Sequence, residues 1–111
     1  MSTLQRSIDK EKITPFIEAW TMLEEEIRIL HVSKDNSPEA LMHEGIILYK
    51  SLLEQCSSDE EKIAPLNNEE RLAFVEMNCR TFAAYRQLQE LFNEMQKKIA
   101  SKRAILNRNN D

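Results

Sequence analysis

The chain has 111 residues, of which 41% are hydrophobic and 31% are charged, and its formal net charge is -4. This length fits one domain with a core of useful size, and the hydrophobic content argues against disorder along the whole chain. One glycine and three prolines nearly exclude all-β folds, which need many turn residues, and exclude glycine-rich phosphate loops. The acidic balance argues against a protein devoted to nucleic acid.

The N-terminal third contains one clear helix signal. Thr14 followed by Pro15 is typical of a helix start, with an N-cap residue before a proline at the first helical position. From Phe16 to Leu30 apolar residues recur every three or four positions, which predicts a first helix over residues 15–32. We expect residues 1–13 to form a short separate helix or a flexible arm.

A second helix is predicted over residues 38–56. Ser37-Pro38 repeats the start signal, and apolar residues from Met42 to Cys56 again follow the helical period. Gly45 lies inside this helix and has two interpretations, a close approach of another helix or ligand and a tolerated surface glycine. The break that follows contains Ser57-Ser58-Asp59-Glu60-Glu61, which indicates either a serine-capped single helical turn or a phosphorylation site.

The third predicted helix is twice as long as the others. Asn67 is a good N-cap, and residues 68–107 contain neither glycine nor proline, so a single helix of roughly 60 Å is expected before a frayed tail at 108–111. The predicted fold is therefore all-α, an antiparallel bundle of three main helices in which the third extends beyond the bundle. The alternative is a bend of the third helix near Asn78 to Thr81, which gives a compact four-helix bundle.

The length mismatch leads to a hypothesis about function. A third helix that outruns its neighbours leaves the apolar seam of its second half in water, and monomers rarely expose so large an apolar surface. We therefore expect the seam to bind a partner protein or a second copy of the chain, so that the protein is a non-enzymatic interaction module, such as an adaptor or small subunit of a complex. The predicted partner-binding residues are Tyr85, Leu88, Phe92, Met95, Ile99 and Leu106. Four charged residues flank the seam and would set register or partner choice, namely Arg86, Glu90, Glu94 and Lys98.

Two alternative functions stay open. The same seam would suit a small helical chaperone or regulator that shields an apolar helix of a client. The basic end of the chain would suit a nucleic-acid-associated factor, although cations at a helix C-terminus or an acidic protein partner explain it as well. This basic patch consists of Lys97, Lys98, Lys102, Arg103 and Arg108.

Signals for catalysis or cofactor binding are weak. The two histidines, His31 and His43, belong to no HExxH or paired ExxH pattern, so we predict no catalytic residues, no metal ligands and no cofactor. No apolar run approaches the roughly 20 residues that cross a bilayer, and no signal-peptide core is present. Cys56 and Cys79 lack CxxC spacing and are expected to be buried thiols, which suits a reducing cytoplasmic or nuclear compartment.

Overall fold

A computed structural model describes residues 3–33 and 37–109 of the chain. Within these ranges there is no β-strand, and the one strand-like contact is an isolated bridge between Ser57 and Lys62. The predicted all-α class is therefore confirmed. None of the described helices is long and apolar enough to span a lipid bilayer. The helices are α1 Thr3–Ser7, α2 Lys10–Ser33, α3 Glu39–Gln55, α4 Asn68–Met77 and α5 Phe82–Asn109.

Helix α2 begins earlier than the sequence pattern predicts. The carbonyl of Asp9 already accepts a hydrogen bond from the backbone N–H of Ile13 at 3.2 Å, and Pro15 lies inside the helix. An interior proline costs about 3 kcal/mol. The extra turn buries Ile13 on the same face as Trp20, which offsets much of that cost. The predicted start at Pro15 is wrong, because α2 begins at Lys10 and its additional first turn carries the buried Ile13.

Helix α3 agrees with its predicted range to within one residue at each end. The Ser37 hydroxyl accepts a hydrogen bond from the backbone N–H of Glu39 at 3.2 Å, but Pro38 occupies the N-cap position, so the helix begins one residue later than the start signal predicts. Gly45 is buried, and a Cβ atom placed on it would lie 3.0 Å from Leu88 Cδ2 and 3.2 Å from Trp20 Cζ3. Of the two interpretations of this glycine, the close helix crossing is confirmed.

The segment between α3 and α4 does not form the predicted helical turn. Instead, the Ser58 hydroxyl accepts hydrogen bonds from the backbone N–H groups of Glu60 and Glu61, both at 3.2 Å. The Ser58 side chain therefore bonds to backbone N–H groups as a helix N-cap would, but it does so within a loop. This loop folds over the bundle, because Ile63 is buried and Lys102 on α5 forms an ion pair with Glu61 at 2.8 Å.

The prediction of one continuous third helix is wrong, and the structure agrees with the alternative of a bend. The α4 helix ends at Met77, and the amide side chain of Asn78 donates to the Phe74 carbonyl at 2.9 Å. The next helix begins at Phe82, where the Thr81 hydroxyl accepts from the backbone N–H of Ala84 at 3.1 Å. These polar side chains satisfy the free backbone groups at the two helix ends, so the chain can turn without glycine or proline.

After the turn, α5 packs antiparallel to α4. Arg71 on α4 forms an ion pair with Glu94 on α5, 23 residues further along the chain. Arg71 also donates to the carbonyl of Leu66 at 3.1 Å. Glu94 is one of the charged residues predicted to set the choice of a partner protein, but in the structure it forms an ion pair within its own chain.

Helix α5 has one buried face, and the rest of the chain covers this apolar seam. Phe92 stacks on Trp20 of α2 at a ring-centroid distance of 4.2 Å and meets Tyr49 of α3 edge-on at 5.2 Å. Towards the end of α5, the guanidinium of Arg103 donates to the Ile8 carbonyl at 2.6 Å, and Ile8 itself is fully buried. α2 and α3 thus cover the seam around Phe92, and the N-terminal arm and the loop over Glu61 cover its end near Lys102 and Arg103.

Candidate functional site

The predicted partner-binding residues lie together, but they face inward. Tyr85 is 3% exposed, Ile99 is 1% exposed, and the side chains of Leu88, Phe92 and Met95 have no exposed surface. Leu106 is partly buried and packs against the same core. The expectation that this seam is open to solvent in a single copy is wrong, because the turn before α5 lets the seam pack against α2 and α3, where Phe92 meets Trp20 and Tyr49. A partner that binds the intact bundle must contact other residues.

Some side chains of the predicted basic patch bind other parts of the chain, and the others face solvent. Lys102 is held by Glu61, and Arg103 is held by the Ile8 carbonyl. Lys97, Lys98 and Arg108 are exposed. Two of the five positive charges therefore fix the loop and the N-terminal arm onto α5, and three face solvent.

A shallow, open groove with a mixed apolar and acidic lining runs between the outer sides of α2 and α3. Met22 is 71% exposed, because it lies roughly 200° around α2 from the buried Trp20, two residues earlier. Leu23 and Leu48 are half-buried beside it. The groove has a volume of about 330 Å³, and its lining is Ala19, Met22, Leu23, Glu26, Glu44 and Leu48. Sequence reasoning did not single out this surface, because the periodicity of α2 marks its buried face and gives no such pattern on the outer one.

The two helices that border this groove are acidic. Together α2 and α3 contain eight acidic and four basic residues, for a net charge of -4. Within these helices, Glu25 is paired with Arg28 at 2.5 Å, and Glu39 is paired with Arg80 of the turn before α5 at 2.7 Å. The Arg28 guanidinium holds the pKa of the Glu25 carboxyl below its usual value. Glu26 and Glu44 are exposed at the edges of the groove.

A second group of side chains combines three metal-binding residue types. Glu39 and His43 are one turn apart on α3, and Cys79 lies in the turn between α4 and α5. One donor atom from each lies within 4.8 Å of the other two, and Cys79 Sγ is 3.6 Å from His43 Nε2. Sequence reasoning missed this group. The Glu-x-x-x-His spacing was visible, but the cysteine is 36 residues away and reaches α3 only because the long helix breaks.

The two cysteines have different surroundings. Cys56 has no exposed surface, and burial raises the pKa of its thiol to about 12, so it behaves as a small apolar core residue. Cys79 is 8% exposed and lines an open cleft of about 410 Å³ next to Glu39 and His43. Only the second thiol is placed to meet an ion or reagent from solvent.

The remaining histidine belongs to the aromatic end of the bundle. His31 meets the ring of Phe82 edge-on at 5.5 Å and lies 5.8 Å from that of Tyr85. Its Nε2 atom is buried and has no hydrogen-bond partner in the described part of the chain. Burial lowers the pKa of this imidazole, because water no longer stabilises the charged form. His31 therefore contributes to the packing of this aromatic cluster.

Comparison with known proteins identifies a family. No curated protein and no solved structure matches the chain significantly. A family model described as YpoC-like protein matches residues 10–107. The match includes α2, α3 and α4 in full, nearly all of α5, the acidic groove and the group formed by Glu39, His43 and Cys79. This chain therefore belongs to the YpoC-like protein family.

Proposed function

We propose that this protein is a helical protein–protein interaction module, an adaptor or small subunit of a complex, that binds a basic amphipathic helix of its partner. The binding surface is the groove between α2 and α3. The observation that carries the proposal is the combination of an exposed apolar floor around Met22 with acidic edges at Glu26 and Glu44. A helix with apolar residues on one face and lysine or arginine beside them matches both properties.

The buried seam of α5 supports this choice of surface. Binding through the seam would require α1, α2 and α3 to separate from α5, and each fully buried side chain there contributes about 1.5–3 kcal/mol of burial. The groove needs no such opening, because Met22 is already 71% exposed. A partner that buries this side chain gains apolar contact without disturbing the core. A reducing compartment, cytoplasmic or nuclear, suits the proposal, because both cysteines are present as thiols.

The direct test is a titration of isotope-labelled protein with a synthetic amphipathic helix that has a leucine face and lysine edges. A second peptide with the same leucine face and glutamate edges is the charge-inverted control. We expect the basic peptide to shift NMR signals of residues around Met22 and Leu48, and the acidic peptide to bind much more weakly. Equal binding of the two peptides, or shifts located away from the groove, would contradict the proposal.

A pair of matched substitutions tests the apolar floor. Met22→Asp places a charge in the groove and is expected to weaken binding of the basic peptide by about 10-fold or more, because the lost apolar contact is worth at least ~1.4 kcal/mol. Met77→Asp is the control, since Met77 is 83% exposed on α4, outside the groove. Both variants should keep the helical circular dichroism of the parent. If Met77→Asp weakens binding as much as Met22→Asp, the groove is not the binding surface.

A further inference from the structure

We propose that Glu39, His43 and Cys79 form a zinc-binding site that joins α3 to the turn between α4 and α5. This inference is independent of the proposed groove, which lies on the outer side of α2 and α3. The three side chains offer a carboxylate oxygen, an imidazole nitrogen and a thiolate sulfur. Zn²⁺ accepts all three donor types, whereas Mg²⁺ and Ca²⁺ take oxygen ligands almost alone.

The distance between two of the donors fits a tetrahedral zinc ion. With Zn–S of about 2.3 Å and Zn–N of about 2.05 Å, the sulfur and nitrogen ligands of such an ion lie roughly 3.6 Å apart. Cys79 Sγ and His43 Nε2 are 3.6 Å apart. The third donor, on Glu39, lies within 4.8 Å of both. A rotation of the half-buried Glu39 side chain would bring its carboxylate to the same ion.

The backbone holds these donors in place from two directions. Glu39 and His43 are four residues apart on α3, so their side chains share one face of the helix. Cys79 is fixed by the turn, in which the backbone N–H of Asn78 donates to the Phe74 carbonyl at 3.0 Å and that of Thr81 donates to the Asn78 carbonyl at 2.9 Å. A bound ion would therefore link two elements that are far apart in sequence.

The site is open to solvent on one side. It faces a cleft of about 410 Å³ that is also lined by Glu76 and Arg80, and His43 is exposed at its edge. Three protein ligands leave the fourth tetrahedral position to water, as in zinc sites that keep an open coordination position. The ion thus has both a route of entry and room for its remaining ligand.

The charges of the site also suit a divalent cation. A thiolate and a carboxylate together neutralise Zn²⁺, and the proton of the Cys79 thiol is released to solvent when the metal binds. Arg80 donates to the Glu39 carboxylate at 2.7 Å, and its side chain is 73% exposed. This guanidinium pairs with the same carboxylate that would bind the metal ion. Arg80→Gln should therefore raise zinc affinity by about threefold to fivefold, the scale expected for an exposed ion pair.

Cobalt is the probe for the test, because tetrahedral Co²⁺ with a thiolate ligand shows visible d–d bands and a thiolate-to-metal charge-transfer band. The full chain, first stripped of metal by a chelator, is titrated with Co²⁺ and then with Zn²⁺. We expect one Co²⁺ per chain with both band types, and displacement by Zn²⁺, which binds such sites more tightly. Zinc should also raise the Tm by on the order of 10 °C at about 100 times the Kd.

Matched variants separate a metal site from a simple thiol–imidazole hydrogen bond. Cys79→Ser should remove the charge-transfer band, and His43→Gln, at an exposed position, should weaken cobalt binding without loss of helical circular dichroism. Cys56→Ala should leave the spectrum unchanged, since Cys56 lies in the core. The inference is overturned if the parent protein gives no tetrahedral cobalt spectrum, if the charge-transfer band persists in Cys79→Ser, or if Arg80→Gln weakens binding.

Discussion

Gly45 is the residue at which three helices meet. Its position on α3 lets the side chains of Leu88 and Trp20 approach the backbone to distances that a Cβ atom would barely tolerate. Those two neighbours have little freedom to move, because Leu88 is fully buried and Trp20 is stacked on Phe92. The helix therefore accepts the propensity cost of glycine, about 1 kcal/mol relative to alanine, in exchange for a close crossing.

Replacing this glycine should test the crossing. We expect Gly45→Val to lower the free energy of unfolding by more than about 2 kcal/mol, because the added methyl groups would push Leu88 and Trp20 out of their packed positions. Denaturant unfolding measures the change. Ala40→Val on the exposed side of the same helix is the control for the effect of a β-branched residue. Equal losses in the two variants would show that the crossing is not tight.

The ion pair between Arg71 and Glu94 predicts how stability changes with pH. Arg71 lowers the pKa of the Glu94 carboxyl through a side-chain hydrogen bond. Because the folded pKa is below the unfolded value, the stabilisation is present at neutral pH and is lost as pH falls below about 4.3 through the folded pKa. Glu94 is 40% exposed, so the contribution is less than about 1 kcal/mol.

Glu94→Gln should therefore reduce stability more at pH 7 than at pH 2, because protonation of Glu94 at low pH removes the charge from the parent as well. Denaturant unfolding at both pH values measures this. Glu90→Gln, at an exposed position one turn earlier on α5, is the control and should change stability much less. A loss for Glu94→Gln that is as large at pH 2 as at pH 7 would mean that the carboxylate charge is not what stabilises the pair.

At the scale of helices, the turn between α4 and α5 decides the architecture. A sequence of forty residues without glycine or proline predicts a single helix, and the hydrophobic pattern weakens only at Asn78 and Thr81. Both residues have short polar side chains that bond to nearby backbone groups, so they can end and begin helices without an unusual backbone conformation. Their location could be predicted from the sequence. The bend itself could not be predicted from the sequence, because it depends on the packing of α4 against α5.

Thr81 provides a test of this turn. Its hydroxyl caps α5 by accepting from the backbone N–H of Ala84 at 3.1 Å, and Thr81→Ala should cost about 1 kcal/mol of stability. Thr21→Ala is the matched control, because the Thr21 hydroxyl is exposed in mid-helix and donates to the Ile17 carbonyl at 2.8 Å. Thermal unfolding compares the two. If they destabilise the protein equally, the cap does not determine the start of α5.

At the scale of the whole molecule, the described residues form an elongated bundle of 54 × 25 × 16 Å. The helix pattern allowed the fold class and the core-facing residues of α2, α3 and α5 to be predicted from the sequence. The sequence pattern shows that the seam is apolar, but it does not show that the turn before α5 brings the seam against α2 and α3. Leu4, Ile8 and Ile63 also belong to the hydrophobic core. They lie in short or irregular segments, whose positions depend on tertiary contacts.

The burial of the seam makes a clear prediction. Phe92→Asp should unfold the whole chain, because it places a charge between Trp20 and Tyr49, and a buried unpaired charge costs several kcal/mol. Circular dichroism and denaturant unfolding measure the loss. Met22→Asp, which introduces the same charge at an exposed position, should leave the helical signal unchanged. A folded Phe92→Asp protein that has lost only its ability to associate would instead restore the seam as a partner-binding surface.

Trp20 gives the molecule a built-in optical reporter. It is the chain's only tryptophan, it is 3% exposed, and it lies flat against Phe92 on α5. Its fluorescence should therefore be blue-shifted in the native protein and should move to the red when the helices part. The emission spectrum will reveal, without any added dye, whether a peptide, a metal ion or a substitution has disturbed the place where α2, α3 and α5 come together.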